Sequence, residues 1–287
     1  MSIRTLTPKD FPESIREIPD APKILYIRGE LPDPNKYSYL TVVGSRRCSN
    51  YGREVCQKLI AELAGYPIVI VSGLALGTDA NAHEAALATD LKTIAVPGSG
   101  IDWEALHPRT NLGLAKRIIE AGGAILSEFE PTAKPQLHMF PQRNRIMAGL
   151  SKAVLLIEAG EQSGTLITAR LASEYNRELL VVPGSIFSAN SKGVHQFLKL
   201  GATPVTKSED ILEVLGFKNE DNKAVARNYD DLSPDQKKIV ELLSIEPLAR
   251  DSIIGELDIS VSDLNMLLSV MELKGLIKEE LGEIRLA

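Results

Sequence analysis

The sequence predicts an α/β fold with a doubly wound, mostly parallel sheet, followed by a small winged-helix domain. Short runs rich in Val, Ile and Leu recur between residues 40 and 182, each with a turn after it and amphipathic helical patterns between them. Strands that are apolar throughout and alternate with helices are typical of a parallel sheet covered on both faces. After residue 233 the pattern changes to three short helical segments and two strands, the order of elements in a winged helix.

The predicted elements fall into four segments. Residues 1–38 contain six prolines and are too short for a domain, so we expect an arm that packs on the main domain, with an extended segment at 24–27. Residues 218–232 are polar and are predicted to be a linker, and residues 233–287 form the winged-helix-like domain. The main domain is residues 39–217, with strands predicted at 40–43, 68–71, 93–96, 124–126, 153–157 and 179–182.

Composition excludes several classes of protein. Of the 287 residues 44% are hydrophobic, but no apolar run approaches the ~20 residues that span a bilayer, and the N-terminus lacks a signal-peptide core. We therefore expect a cytoplasmic protein without a membrane partner. Cys48 and Cys56 are the only cysteines, so neither a disulfide framework nor a zinc site is indicated.

Charge is unevenly distributed along the chain. Taken as an average, the net charge of −6 argues against nucleic-acid binding. From residue 233 onward six Lys/Arg stand against eleven Asp/Glu, which leaves 26 against 27 in residues 1–232. A nearly neutral main domain can still carry a basic face, because binding depends on the local potential.

Polar turns follow the predicted strands. In a doubly wound sheet the ligand binds beyond the carboxyl ends of the strands, so these turns would gather at one edge and offer backbone N–H groups to an anion. Each of these turns, considered alone, is equally well explained as an ordinary turn without a ligand, because Gly and Ser are common turn residues. The turns are Gly44-Ser45-Arg46, Ser72-Gly73, Gly98-Ser99-Gly100, residues 160–165 and Gly184-Ser185.

The stretch from Lys134 to Lys152 contains four Lys or Arg residues and no Asp or Glu. It combines Phe140 and Asn144 with arginines, a mixture that suits a ligand with phosphates and bases: arginine pairs with phosphate, and an aromatic ring stacks on a base. The alternative is a solvated helix start. We expect Arg143→Ala to weaken binding of such a ligand and to flatten the salt dependence of that binding.

The third helix of the predicted winged helix is acidic on its outward side, where Asp263 and Glu272 lie without a basic residue. Insertion into a groove lined with phosphate would be repulsive, which favours a protein-interaction or regulatory role. The alternative is that this domain only stabilises the main domain by packing on it.

No motif for phosphoryl transfer, hydride transfer, zinc-dependent hydrolysis or acyl transfer occurs in the sequence. We therefore predict no catalytic residues, no metal and no cofactor. Among the scattered histidines, His138 is of interest because it lies two residues before Phe140. Trp103, the single tryptophan, fits a core position as well as a stacking platform.

The ordered motifs of the main domain resemble the DNA-processing protein A (DprA, also called Smf) family over residues 11–215. They include Val43-Gly44-Ser45-Arg46, Val71-Ser72-Gly73-Leu74-Ala75, Phe140-Pro141-Gln142-Arg143-Asn144-Arg145-Ile146 and Ser163-Gly164-Thr165-Leu166-Ile167-Thr168-Ala169. The resemblance implies an extended Rossmann-like fold, a homodimer and no enzymatic activity. It implies a single-stranded DNA-binding protein of natural transformation and recombination that protects incoming DNA and loads the RecA recombinase onto it.

Further expectations concern the N-terminal arm, the interaction surfaces and the DNA pocket. A helical N-terminal domain of the sterile-alpha-motif type, present in many members, has no counterpart in the short arm. The dimer and RecA surfaces are expected among apolar positions near 186–215. Residues carried over as lining the pocket are Gly44, Ser45, Arg46, Phe140, Arg143, Asn144, Arg145 and Lys152, and those forming its base are Ser72, Gly73, Gly164, Thr165 and Thr168.

Two other functions compete with DNA binding. Phosphoribohydrolases of the LOG or lysine-decarboxylase-like family share a similar architecture and carry the signature PGGxGTxxE. Aligned on Gly164-Thr165, this chain has Gly160-Glu161-Gln162 in place of PGG and Thr168 in place of the glutamate. The third possibility is an adaptor that binds protein through its acidic tail.

Overall fold

The computed structural model describes residues 2–217, 232–245, 247–257, 259–273, 275–280 and 282–286. The chain divides into two compact units, Met1–Ala224 and Val225–Ala287. The predicted linker, residues 218–232, lies outside the described residues except for residue 232.

The described strands of the first unit form one sheet in the order β1-β2-β6-β5-β4-β3-β7-β8-β9. From β6 to β9 all neighbours are parallel, and β1 and β2 are antiparallel additions at one edge. This confirms the mostly parallel α/β sheet. The strands are β1 (Ile3–Leu6), β2 (Leu25–Gly29), β3 (Ser38–Val43), β4 (Ile68–Ser72), β5 (Lys92–Ala95), β6 (Ala124–Ser127), β7 (Ala153–Leu156), β8 (Glu178–Val181) and β9 (Thr203–Pro204).

Helices cover both faces of the sheet. In β4, Val69 and Val71 pack in one apolar cluster while Ile68 and Ile70 pack in another, as expected when successive side chains point to opposite faces. Every residue of such a strand is buried, which explains its continuous apolar run. The helices are α1 (Glu13–Arg16), α2 (Asn50–Ala61), α3 (Thr78–Ala88), α4 (Leu112–Glu120), α5 (Met139–Leu150), α6 (Thr165–Glu174), α7 (Lys192–Lys199) and α8 (Ser208–Leu215).

The N-terminal arm is part of the sheet. The extended segment expected at 24–27 lies in β2, which pairs with β6 through Ile27 and Leu126. Ile15 of α1 is fully buried and lies against Gly149 of α5. β1 was not predicted, because Ile3 and Leu6 alone give too little periodicity to mark a strand.

The order of the strands determines where a ligand can bind. β3 has β4 on one side and β7 on the other, so the chain leaves β3 in one direction and returns to its other side at β7. The loops that follow β3 and β7 therefore diverge and leave a crevice at the carboxyl ends of these strands.

The second unit is a winged helix. Ser233 and Gln236 form reciprocal hydrogen bonds at the start of the first helix, and the N–H of Asp263 donates to the Ser260 hydroxyl (3.2 Å) at the start of the third. The described elements are α9 (Pro234–Ile245), β10 (Leu248–Ala249), α10 (Arg250–Leu257), α11 (Val261–Leu273), β11 (Ile277–Glu280) and β12 (Glu283–Leu286). The wing pairs β11 with β12, and β10 adds a short strand that was not predicted.

Candidate functional site

A cleft of about 670 Å³ opens at the crevice between β3 and β7. It lies between the turn after β3, the first half of α5 and the loop that leads into α6. Nine of the thirteen residues predicted for the pocket line it: Gly44, Ser45, Arg46, Phe140, Arg143, Asn144, Gly164, Thr165 and Thr168.

The turn after β3 presents an exposed cation beside an aromatic ring. The Arg46 guanidinium lies 5.1 Å from the centroid of the half-buried Phe140 ring. Neither Arg46 nor Arg47 forms an ion pair within the described part of the chain. A Cβ on Gly77, whose φ is +76°, would lie 2.3 Å from the Ser45 carbonyl oxygen, so glycine is required behind this turn.

Arg143 is directed into the protein and is 5% exposed. It donates hydrogen bonds to the carbonyls of Gly73 and Val96, and its Nε donates to Asn144 Oδ1 at 2.8 Å. Its Nη2 lies 3.7 Å from Asp79 Oδ2. The guanidinium thus joins the loops that follow β4 and β5, and it holds the amide of Asn144 at the cleft.

Burial shifts the pKa of both members of this pair. It raises the pKa of the Asp79 carboxyl above its usual value, and Arg143 and the N–H groups of Ala75 and Gly73 oppose only part of that rise. Burial also lowers the pKa of the Arg143 guanidinium, against the attraction of Asp79. The pair is therefore held by its hydrogen bonds and its geometry, at a desolvation cost to both groups.

The start of α6 forms the opposite side of the cleft. Thr165 Oγ1 donates to the Gly44 carbonyl at 3.0 Å, which joins this loop to the turn after β3. Gly164 precedes the helix, a Cβ added there would meet nothing within 4 Å, and the N–H of Thr165 donates to the Ser163 hydroxyl at 3.3 Å. The N–H groups of Leu166 and Ile167 already donate to the carbonyls of Ser163 (3.0 Å) and Gly164 (3.1 Å), so what this helix start offers an anion is the positive end of its dipole.

Four predicted residues are not brought to the cleft. Ser72 is fully buried and donates to the Val42 carbonyl at 2.6 Å, and Gly73 accepts the hydrogen bond from Arg143 beneath the cleft. Arg145 pairs with Glu128 at 2.5 Å, with both side chains mostly buried. Lys152 precedes β7 at the opposite edge of the sheet, where its Nζ donates to the Leu215 carbonyl at 2.7 Å.

Several lining residues were missed by sequence reasoning. Arg47 follows Arg46 directly and was the easiest to infer. Asn190 comes from the loop after β8 and donates to the Arg47 carbonyl at 3.2 Å, a contact for which the sequence holds no signal. His107, and not His138, lies against Phe140, with ring centroids 5.8 Å apart.

Neither a metal-binding group nor a membrane-spanning helix occurs among the described residues. No group of three or more His, Cys, Asp or Glu residues within them is placed to hold a metal ion. None of the described helices combines the length and apolar character needed to cross a bilayer.

Comparison with known proteins identifies the family. Residues 2–216 match the model for DNA recombination-mediator protein A, and residues 223–283 match that for the DprA winged helix domain. Protein Smf of Escherichia coli K12 is 43% identical over 72% of this chain, which spans 54% of the E. coli protein, about half its length. DNA processing protein DprA of Streptococcus pneumoniae R6 is 42% identical over 72% of each chain.

Two solved structures agree with this assignment. The X-ray structure of DNA processing protein A from S. pneumoniae superposes with a TM-score of 0.69 at 39% identity and covers 75% of each chain. DNA processing protein A from Helicobacter pylori, solved for its single-stranded DNA binding mode, gives 0.66 at 31% identity over 74% of this chain and 95% of that one. Both sets of comparisons confirm the resemblance read from the motifs: the chain belongs to the DNA recombination-mediator protein A family, which includes the DprA and Smf proteins.

Proposed function

We propose that this protein binds single-stranded DNA in the cleft between β3 and β7. The observation that carries the proposal is the exposed Arg46 guanidinium beside the Phe140 ring, at a cleft whose far side is the start of α6. Phosphate contacts together with base stacking are the usual means of binding a single strand without sequence preference. In a duplex the base faces are stacked on each other, so Phe140 has no base face to contact.

The cellular role that we propose is protection of incoming single-stranded DNA and loading of the RecA recombinase during transformation and recombination, by a homodimer in the cytoplasm. Membership of the family supports this role, and the H. pylori relative supports the choice of single-stranded DNA. The winged helix is proposed to bind protein, because the outward side of α11 carries Asp263 and Glu272.

We propose that the cleft has no catalytic activity. Asp79 is the only Asp or Glu among the described residues that line it, and it accepts hydrogen bonds from the N–H groups of Gly73 and Ala75. Thr168, which stands where a phosphoribohydrolase would carry its glutamate, is 1% exposed. A carboxylate free to act on a glycosidic bond is therefore not provided by these residues. Release of base from AMP would contradict this part of the proposal.

The test is a fluorescence-anisotropy titration of wild-type protein and Arg46→Ala with single-stranded and duplex oligonucleotides at two salt concentrations. We expect a preference for the single strand, and a slope of log affinity against log salt that is lower by about 0.7 in the variant. Arg16→Ala is the matched control, because Arg16 is an exposed arginine of α1, which packs at the far end of α5. Preference for duplex, or equal slopes in the two variants, would contradict the proposed site.

A further inference from the structure

A second cavity of about 390 Å³ opens in the loops that follow β5 and β6, and it is lined in part by Trp103, Arg28, Lys134, Thr132, Asp102 and Glu104. We propose that this Trp103 cavity binds a further nucleotide of the same DNA strand, with Trp103 contacting the base and Lys134 contacting a phosphate. The proposal rests on the proposed binding of single-stranded DNA in the main cleft. It adds one nucleotide subsite and states in which direction the strand leaves that cleft.

The Trp103 cavity lies along the same edge of the sheet as the main cleft. The loops that line the Trp103 cavity follow β5 and β6, which lie two and three strands from β3, or about 10–15 Å at the usual spacing between strands. Phe140 stands between the two cavities: it lines the main cleft, and its ring lies against His107, four residues beyond Trp103 in the loop after β5. With one phosphate per ~3.4 Å of a B-form strand, about three to five nucleotides bridge this distance.

Two cations lie against the Trp103 ring. Arg28 lies 4.3 Å and Lys116 lies 5.9 Å from the centroid of the Trp103 ring. Arg28 is 8% exposed and is directed to the Ile101 carbonyl and to Asp102, each at 3.4 Å, so it offsets the Asp102 carboxylate. Among the cations accessible to a ligand are the exposed Lys116, beside the ring, and the exposed Lys134, which lines the cavity.

Lys134 is suited to a phosphate. It is exposed, it lines the cavity and it forms no ion pair within the described part of the chain. The exposed Glu104 and the hydroxyl of Thr132 supply acceptors for the N–H groups of a base. A purely structural role for Trp103 accounts for its contact with the apolar cluster beneath it, but it leaves an open cavity beside a half-buried indole unexplained.

The experiment compares strand lengths. A short oligothymidylate of about four nucleotides fills only the main cleft, and one of about twelve reaches both cavities. Trp103 is the single tryptophan, so its fluorescence reports the second cavity in the wild-type protein without a label. We expect quenching by the long oligonucleotide and none by the short one.

Variants provide the second readout. We expect Trp103→Ala and Lys134→Ala each to weaken binding of the long oligonucleotide by about tenfold while affinity for the short one is unchanged. Lys134→Ala should also lower the salt slope by about 0.7 for the long strand alone. Because Trp103 packs on the core, the exposed Lys134 keeps the test valid if the tryptophan variant fails to fold.

Phe187→Ala is the matched control. Phe187 is 92% exposed and follows β8, on the other side of the crevice. If Phe187→Ala loses long-strand affinity with its oligomeric state unchanged, while Lys134→Ala keeps wild-type affinity and Trp103 fluorescence stays constant, the strand runs in the opposite direction and the proposal is overturned. Equal effects on both lengths would overturn it as well. If the wild-type protein binds neither oligonucleotide, the proposed function fails and the Trp103 cavity has no strand to extend.

Discussion

Arg46 and Arg143 line the same cleft, but their guanidinium groups have opposite surroundings. Arg46 comes from the turn after β3, is exposed and lies beside an aromatic ring. Arg143 comes from α5, is almost completely buried, and is held by two carbonyls, an amide and the Asp79 carboxylate. The first guanidinium is available to a ligand, whereas the hydrogen bonds of the second are used within the protein.

The comparison separates two tasks that a basic sequence motif combines. A cation that binds phosphate must stay hydrated and unpaired until the ligand arrives, and its removal changes affinity with little effect on stability. A buried cation has lost its hydration and depends on every partner around it, so its removal changes stability first. The effect expected on the salt dependence therefore belongs to Arg46, and Arg143 keeps the loops after β4 and β5 in place.

The largest expected effect is that of Arg143→Ala on folding. Loss of the guanidinium leaves the buried Asp79 carboxylate without its cation and two carbonyls without a donor. We expect the free energy of unfolding to fall by about 3–5 kcal/mol in urea denaturation. Arg46→Ala is the counterpart and should change it by less than about 0.5 kcal/mol. Similar losses of unfolding free energy in the two variants would contradict the distinction between a structural Arg143 and a ligand-binding Arg46.

Gly73→Ala should have the next largest effect. A Cβ at this position would lie 1.9 Å from Arg143 Nη1, and the guanidinium cannot move aside without losing its carbonyl partners. We expect a loss of about 1–3 kcal/mol, as for other overpacked sites, measured by thermal unfolding.

Gly164→Ala is the control for that substitution. Gly164 also lines the cleft, but its φ is −57° and a Cβ would meet nothing within 4 Å. Unfolding should therefore be almost unchanged. A larger loss at Gly164 than at Gly73 would contradict the buried position of Arg143.

A smaller effect concerns pH. Because burial raises the pKa of Asp79, the folded protein holds this proton more tightly than the unfolded chain does. Its contribution to stability is full below the unfolded pKa of 3.8 and is lost as the pH rises through the raised folded value. Wild type should therefore lose stability relative to Asp79→Asn as the pH rises above 3.8, as measured by urea denaturation along a pH series.

The informative quantity is how the difference in unfolding free energy between wild type and Asp79→Asn changes with pH, and not the size of that difference at one pH. The loss of a partner for Arg143 in the variant is the same at every pH in this range, and other carboxyl groups titrate in both proteins. A difference in unfolding free energy that does not change with pH would show that Asp79 keeps its ordinary pKa when folded.

The fold was predictable because its signals are local and repeated. A parallel strand buried on both faces must be apolar throughout, and the turns after β3, β4 and β7 carry the polar residues that line or support the cleft. The surroundings of the arginines were not predictable in the same way. The stretch 134–152 holds no acid, but Asp79 from α3 and Glu128 from the segment after β6 reach its arginines across the fold. A short stretch of sequence shows only its own charged residues. It does not show which charged residues from distant parts of the chain pack against it in the fold.

The sequence also did not show which end of α5 lies at the cleft. Lys152, at the other end, tests this point with the smallest expected effect. α5 runs from the carboxyl edge of the sheet to the amino edge, and twelve residues cover about 18 Å. Phe140 therefore lies at the cleft, while Lys152 is bound to the end of α8 on the far side. Lys152→Ala should leave both the affinity for single-stranded DNA and its salt slope unchanged, in contrast to Arg46→Ala. A slope lower by about 0.7 in the Lys152 variant would mean that the strand reaches the amino edge, and the cleft would then account for only part of the binding surface.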